Sequence, residues 1–217
     1  MSIRHHPADD TLLRFAAGRL SPGLAFVVQA HLQGCAQCRT RAAAFQAVGG
    51  VLLDEEPPAA LAPTAFTDVL ARLGEPPAAV PVPRAPRQAK LNFLPDLRLP
   101  PLLGLCDAGP WRWLGRGVRY SQLRLPWAPE ANVMLLRVAA NRPLFSHTHT
   151  AQELTLILHG GYQDRTGQYG PGDVAQGDAD LLHQPRADAQ GCICLSSFEG
   201  RLLLDGWLGW WQRRLGL

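Results

Sequence analysis

Four residues near the start of the chain, His6, His31, Cys35 and Cys38, have the types and the spacing to hold one metal ion. Histidine nitrogen and cysteine sulfur are the donors zinc takes in a tetrahedron, and an H-x3-C-x2-C run with a further histidine upstream supplies four of them. A redox C-x-x-C normally follows a strand in a βαβ unit, and no strand is predicted before Cys35; the plainer alternative is a pair of core thiols beside an ordinary helix histidine. Spacing leaves the first donor open between His5 and His6, which are adjacent.

A second group lies in the other half of the chain: His147, His149, Glu153 and, thirty residues further on, His183. Residues two apart on a strand face the same side, so His147 and His149 point together, and Glu153 keeps that parity if the strand resumes after a short break. Three imidazoles and one carboxylate converging inside a barrel suit Zn, Mn, Fe or Ni. A surface histidine pair is the competing reading of H-x-H alone.

The elements that must position these groups differ in period. A first helix is expected over residues 9–20, capped by Asp9 or Asp10, which brings His6 in just before its start. Ser21-Pro22 is a helix start, with serine at the N-cap and proline at the first helical position. Leu24, Phe26, Val27, Val28, Ala30 and Leu32 make the helix that follows apolar almost all round, and Gly34 ends it. His31 then sits in its last turn, and Cys35 and Cys38 straddle the turn into a third helix over residues 39–51. Residues 63–73 form a short fourth helix that packs either on another protein or on the first three. Leu12, Phe15, Leu24 and Val28 are candidates to face a partner.

Residues 74–90, with five prolines and no apolar periodicity, read as a semi-rigid linker. Beyond it the period becomes strand-like, with segments at 117–125, 133–138, 154–158, 191–196 and 201–204 separated by Gly, Pro, Asp and Asn. Many short strands without intervening helices imply a sandwich or barrel. The fold class is thus α+β and multidomain: a helical zinc-binding part at 1–73, the linker at 74–90 and a β-barrel part at 91–217, in a chain of 217 residues, long enough for two parts with separate cores.

Charge argues against nucleic acid. Residues 1–56 carry five basic and five acidic side chains and residues 91–217 carry twelve and eleven, so no basic face is available for phosphate contacts. No apolar stretch has the length of a membrane span, and no signal-peptide apolar region opens the chain, so the expected compartment is the cytoplasm, where thiols stay reduced. Cys192 and Cys194 share parity on a predicted strand and are expected to pack in the core, with Cys106 a further candidate redox group. The tryptophan-rich stretch at 207–215 is aromatic enough for an interface, or for cover across the open edge of the barrel.

His147, His149, Glu153 and Gly160 together resemble the first cupin motif, H-x-H-x3-E-x6-G. Gly172, Asp178, Asp180 and His183 stand at the spacing of the second motif, with aspartates replacing its proline and second glycine. With Arg4-His5-His6, Ala30-His31-Leu32 and Cys35-Ala36-Gln37-Cys38-Arg39, the chain resembles the ChrR family of zinc-binding anti-sigma factors over nearly its whole length. The resemblance implies a zinc at His6, His31, Cys35 and Cys38, His6 being favoured over His5, and a second at His147, His149, Glu153 and His183. It also implies that the helical part masks an extracytoplasmic-function (ECF) sigma factor and that a cupin barrel is needed for release under singlet oxygen or related oxidative stress. The chain is then a binding protein, not an enzyme. The rival reading is a metal-dependent cupin enzyme, a dioxygenase or isomerase, with an appended regulator.

Overall fold

Four helices form the N-terminal part: α1 (Asp9–Ala16), α2 (Pro22–Gly34), α3 (Ala36–Asp54) and α4 (Ala65–Arg72). The computed structural model describes residues 2–75 and 99–205, so most of the expected linker and the tryptophan-rich 207–215 stretch lie outside the described residues. α1 is shorter than its apolar pattern predicts. Gly18 takes a left-handed φ of 64° and Arg19 N–H donates to the Arg14 carbonyl at 2.7 Å, which closes the helix early. Asp9 and Asp10 lie in its first turn rather than capping it; Ala8 holds the cap position. α3 starts before its predicted residue 39 because Cys35 serves as its N-cap, its sulfur accepting the Cys38 N–H at 3.4 Å.

The second part is all strand: β1 (Asp107–Ala108), β2 (Arg112–Gly115), β3 (Val118–Leu125), β4 (Ala128–Val138), β5 (His147–His149), β6 (Glu153–Asp164), β7 (Gly167–Tyr169), β8 (Val174–Gly177), β9 (Arg186–Phe198) and β10 (Leu202–Leu204). A short 3-10 helix, Pro101–Leu105, precedes them. The main antiparallel sheet runs β1-β3-β4-β9-β6-β7, with β2 also on β3 and β8 also on β6, while β10 pairs with β5. The expected strands all appear, three of them lengthened as β4, β6 and β9, and β5 carries His147 and His149 on one buried side as their spacing requires. The sequence signal was too short for β1, β2, β7 and β8.

The two parts meet through α2. Because that helix is apolar on nearly every side, it needs neighbours on more than one flank: α1 and α3 on one, and β4, β6 and β9 on the other. At its start a Cβ on Gly23 would meet the Ser197 hydroxyl and crowd Val133, so glycine lets the helix lie against β9 without moving either side chain. Leu12, Leu24, Val27 and Val28 are fully buried in one continuous cluster with Leu123, Val133, Leu135, Leu154 and Leu195 of the barrel. This corrects the expectation of separate cores.

It also corrects the expected partner face. Leu12, Leu24 and Val28 are core residues, and Phe15 is packed against the same cluster. Exposed apolar side chains instead gather on the later helices, Val48, Val51, Leu52 and Leu53 on α3 and Phe66, Val69 and Leu70 on α4, a helix that buries none of its residues.

Polar contacts reinforce the junction. The buried Thr11 hydroxyl donates to Gln176 Oε1 on β8 at 3.1 Å and accepts from Gln152 Nε2 at 2.9 Å, and Arg14 donates to Gln152 Oε1 at 3.0 Å.

Candidate metal centres

The first donor set is assembled from three pieces of chain. His6 arrives on the segment before α1, His31 on the last turn of α2, and Cys35 and Cys38 at the start of α3. One donor atom from each lies within 4.8 Å of all the others. His6 Nδ1 is 3.4 Å from Cys35 Sγ and 3.3 Å from Cys38 Sγ. The adjacent histidines point different ways: the His5 ring lies tilted against Tyr169 with centroids 4.5 Å apart, while His6 turns to the thiols. Pinning is done by the backbone, since His5 N–H donates to Asp173 Oδ1 at 3.0 Å and the His5 carbonyl accepts from Val174 N–H at 3.0 Å.

Protonation logic shows what this pocket suits. His31 Nδ1 lies 2.9 Å from the Gly172 carbonyl, which can only accept, so Nδ1 carries the proton and Nε2 presents a lone pair. That Nε2 is buried without a hydrogen-bond partner. Burial also lowers the His31 pKa from 6.5 to about 4, keeping the ring neutral. Burial and then the neighbouring Cys35 push the Cys38 thiol up to about 12 in the absence of a cation. Neutral imidazoles and two clustered sulfurs are a site that a soft or borderline cation completes.

The second set lies within the barrel. His147 and His149 come from β5, Glu153 from the first residue of β6, and His183 from the loop before β9, bridged to His147 by a pair of backbone hydrogen bonds of 3.0 Å each. All four are buried, and their donor atoms again lie within 4.8 Å of one another. His147 Nδ1 donates to the Phe145 carbonyl at 2.7 Å, and His183 Nδ1 donates to Asp164 Oδ2 at 2.9 Å. Both Nε2 atoms are therefore lone pairs in the neutral rings, and they face each other at 3.1 Å. Two lone pairs at that distance repel unless a cation or a proton sits between them.

Glu153 completes the set. Its Oε2 is 3.0 Å from His149 Nε2, and its Oε1 accepts from the Ser196 hydroxyl at 3.0 Å and the Thr155 hydroxyl at 3.2 Å. Burial alone would raise its pKa, but the hydrogen bond from His149 and the three nearby imidazoles outweigh that and hold it at about 2. Burial would raise Asp164 likewise, but its hydrogen bonds with His183 and Thr166 hold it at about 2. Sequence reading missed Asp164, Thr155 and Ser196, since nothing in their spacing marks them as partners of this site.

The motif residues have local reasons. Gly160 sits at φ 63° in a β6–β9 irregularity, where a Cβ would overlap the Gly191 carbonyl. Asp178, at the position of the motif's proline, forms a local turn in which its Oδ1 accepts Asp180 N–H at 3.1 Å, before the chain reaches His183. Cys192 and Cys194 are buried with Ile157 and Tyr162, as core packing requires, Cys106 is buried beside Leu102 and Leu103, and all five cysteines are free. A cavity of about 570 Å³ opens beside His147 and Glu153, lined mainly by Tyr120, Met134, Leu136, Phe145 and Leu204.

Comparison with known proteins gives a consistent result. Residues 102–200 match the family model described as the ChrR cupin-like domain. The chain is 38% identical over 214 residues to the anti-sigma-E factor ChrR of Cereibacter sphaeroides, covering 96% of this chain and 95% of that protein. It also resembles the crystal structure of Rhodobacter sphaeroides SigE in complex with the anti-sigma ChrR, with a TM-score of 0.68 and 37% identity over 91% of this chain and 100% of that one.

Proposed function

Because the chain belongs to the ChrR family of anti-sigma factors, we propose that it sequesters an ECF-type sigma factor through its helical part and releases it when its barrel senses oxidative stress such as singlet oxygen. The observation that carries this reading is the unburied apolar surface on α3 and α4. Val48, Val51 and Leu52 on one helix and Phe66, Val69 and Leu70 on the other are exposed, far more apolar surface than so small a helical part leaves to water without a use.

Zinc at His6, His31, Cys35 and Cys38 would tie the start of the chain to the α2–α3 junction and so fix the base from which α3 projects. A second zinc at His147, His149, Glu153 and His183 would have four protein donors. Four donors fill a tetrahedral zinc and leave no position for substrate, which favours a sensing role over turnover. A cytoplasmic location is part of this reading, since a sigma factor acts with RNA polymerase on the chromosome. Among the described residues no helix is long and apolar enough to cross a membrane.

Co-expression of the full chain with an ECF sigma factor from the same genome tests the reading, followed by metal analysis of the recovered complex. A stable complex with zinc at each site is expected, and His183→Ala should keep the complex while removing its response to singlet oxygen. Iron or manganese in the barrel with oxygen-dependent turnover would instead make it an enzyme. A complex unaffected by Cys35→Ser or Cys38→Ser would rule out the zinc-built binding face.

A further inference from the structure

The N-terminal donor set has its outer partners in the other part of the chain. His31 Nδ1 is oriented by the Gly172 carbonyl, and the segment delivering His6 is held by Asp173, whose Oδ1 accepts both Arg4 N–H at 2.7 Å and His5 N–H at 3.0 Å. Val174 N–H closes the clamp on the His5 carbonyl at 3.0 Å. The helical part supplies no equivalent orienting contact to either imidazole among the described residues.

The clamp is itself rigid. Asp173 is 2% exposed, and its other oxygen accepts Gly170 N–H at 2.9 Å. Gly172 N–H donates to the Ile157 carbonyl at 2.8 Å, and Ile157 N–H donates to the Asp173 carbonyl at 3.0 Å, so the loop is laced to β6. A carboxylate with three backbone donors cannot shift without breaking several hydrogen bonds at once. From there β8 runs beside β6 from Val174 opposite Leu156 to Gly177 opposite Glu153, a span of about 10 Å at the usual strand rise.

We infer that the β7–β8 loop, through the Gly172 carbonyl and the Asp173 carboxylate, is the outer shell of the N-terminal metal site and positions His31 and His6 within it. The four donors lie in the helical part, but their orienting shell is complete only when the barrel is docked, and β8 links that shell to the Glu153 end of the barrel site. Removing outer-shell partners typically weakens metal binding 10–100-fold, about 1.4–2.8 kcal/mol. The inference rests on the metal reading of His6, His31, Cys35 and Cys38 and is independent of the sigma factor.

Cobalt reports on this site separately from the barrel, because Cys35 and Cys38 are thiolate donors that give a thiolate-to-cobalt charge-transfer band, whereas the barrel set of His147, His149, Glu153 and His183 includes no cysteine. The full chain is loaded with cobalt and challenged with a chelator while that band is followed. The band must appear in the unaltered chain; its absence would overturn the metal reading itself. Asp173→Ala is expected to speed loss of the band about 10–100-fold while cobalt bound without thiolates leaves at its original rate. An unchanged rate in a folded Asp173→Ala chain would overturn the outer-shell role. Should Asp173→Ala not fold, Asp173→Asn serves, since its amide oxygen can satisfy only one side of the clamp; it is expected to show a smaller acceleration, and a rate equal to the unaltered chain would equally overturn the proposal.

Discussion

The two donor sets are built on opposite plans. The barrel set takes its donors from β5, the start of β6 and one short loop, and each orienting partner, Phe145, Asp164, Thr155 and Ser196, belongs to the same barrel. The N-terminal set takes its donors from three segments of the helical part and borrows its orienting partners from the β7–β8 loop. A self-contained site resists local disturbance, whereas one assembled across a junction reports on whether the junction is intact.

The largest expected break in this comparison is Cys38→Ser. It removes one of two thiolates from a structural site whose metal contributes on the order of 10 kcal/mol to folding. Native mass spectrometry should show the barrel metal retained and the N-terminal metal gone, and pull-down should show the sigma factor lost. Retention of both metals would mean that the two sites are less different than their construction indicates.

Leu24→Ala comes next. Leu24 is fully buried in the cluster shared by α2 and the barrel, so its truncation should cost about 2–5 kcal/mol in urea unfolding. Both parts should be destabilised together. Loss confined to the helical signal would show that the junction is weaker than its packing suggests.

Acid separates the sites by a few kcal/mol at most. In the metal-free chain, folded His31 stays neutral down to about 4, while the unfolded residue takes up a proton near 6.5. The unfolded state binds more protons in that window, so this contribution is full above pH 6.5 and is lost as the pH falls toward 4. Glu153 works lower: its folded value of about 2 against 4.5 gives a contribution present above pH 4.5 and lost as the pH falls through 2. Urea unfolding of the metal-free chain, followed by circular dichroism at a series of pH values, should therefore show stability falling first between pH 6.5 and 4, from His31, and again below pH 4.5, from Glu153.

Asp164→Asn has the smallest effect. It weakens the hydrogen bond that orients His183 and should reduce barrel metal affinity about 10–100-fold, leaving the N-terminal site untouched. Competition with a chelator of known affinity measures it.

Both donor sets were legible in the sequence because ligand types and spacings are local: His31, Cys35 and Cys38 fall within one helix turn and its exit, and His147 and His149 share a strand face. The α2 pattern was equally plain, since apolar residues all round a helix demand burial on several sides. What covers those sides was not legible. The contact of Gly23 with Ser197, and the clamp of Asp173 on Arg4 and His5, join residues more than 160 positions apart, and no periodicity carries that information. Asp164 escaped notice for the same reason, since it becomes a partner of His183 only once β6 and β9 pair. The expected partner face failed for a simpler one: an apolar side chain looks the same whether its cover is a partner or the chain's own barrel.

The burial of α2 between its sister helices and the sheet has a consequence for heat rather than for signalling. Its side chains belong to both halves at once, so neither half can melt without opening the cluster they share. Calorimetry of the full chain should record one endotherm, with a calorimetric enthalpy matching the van't Hoff value, where two independently folding modules would give two.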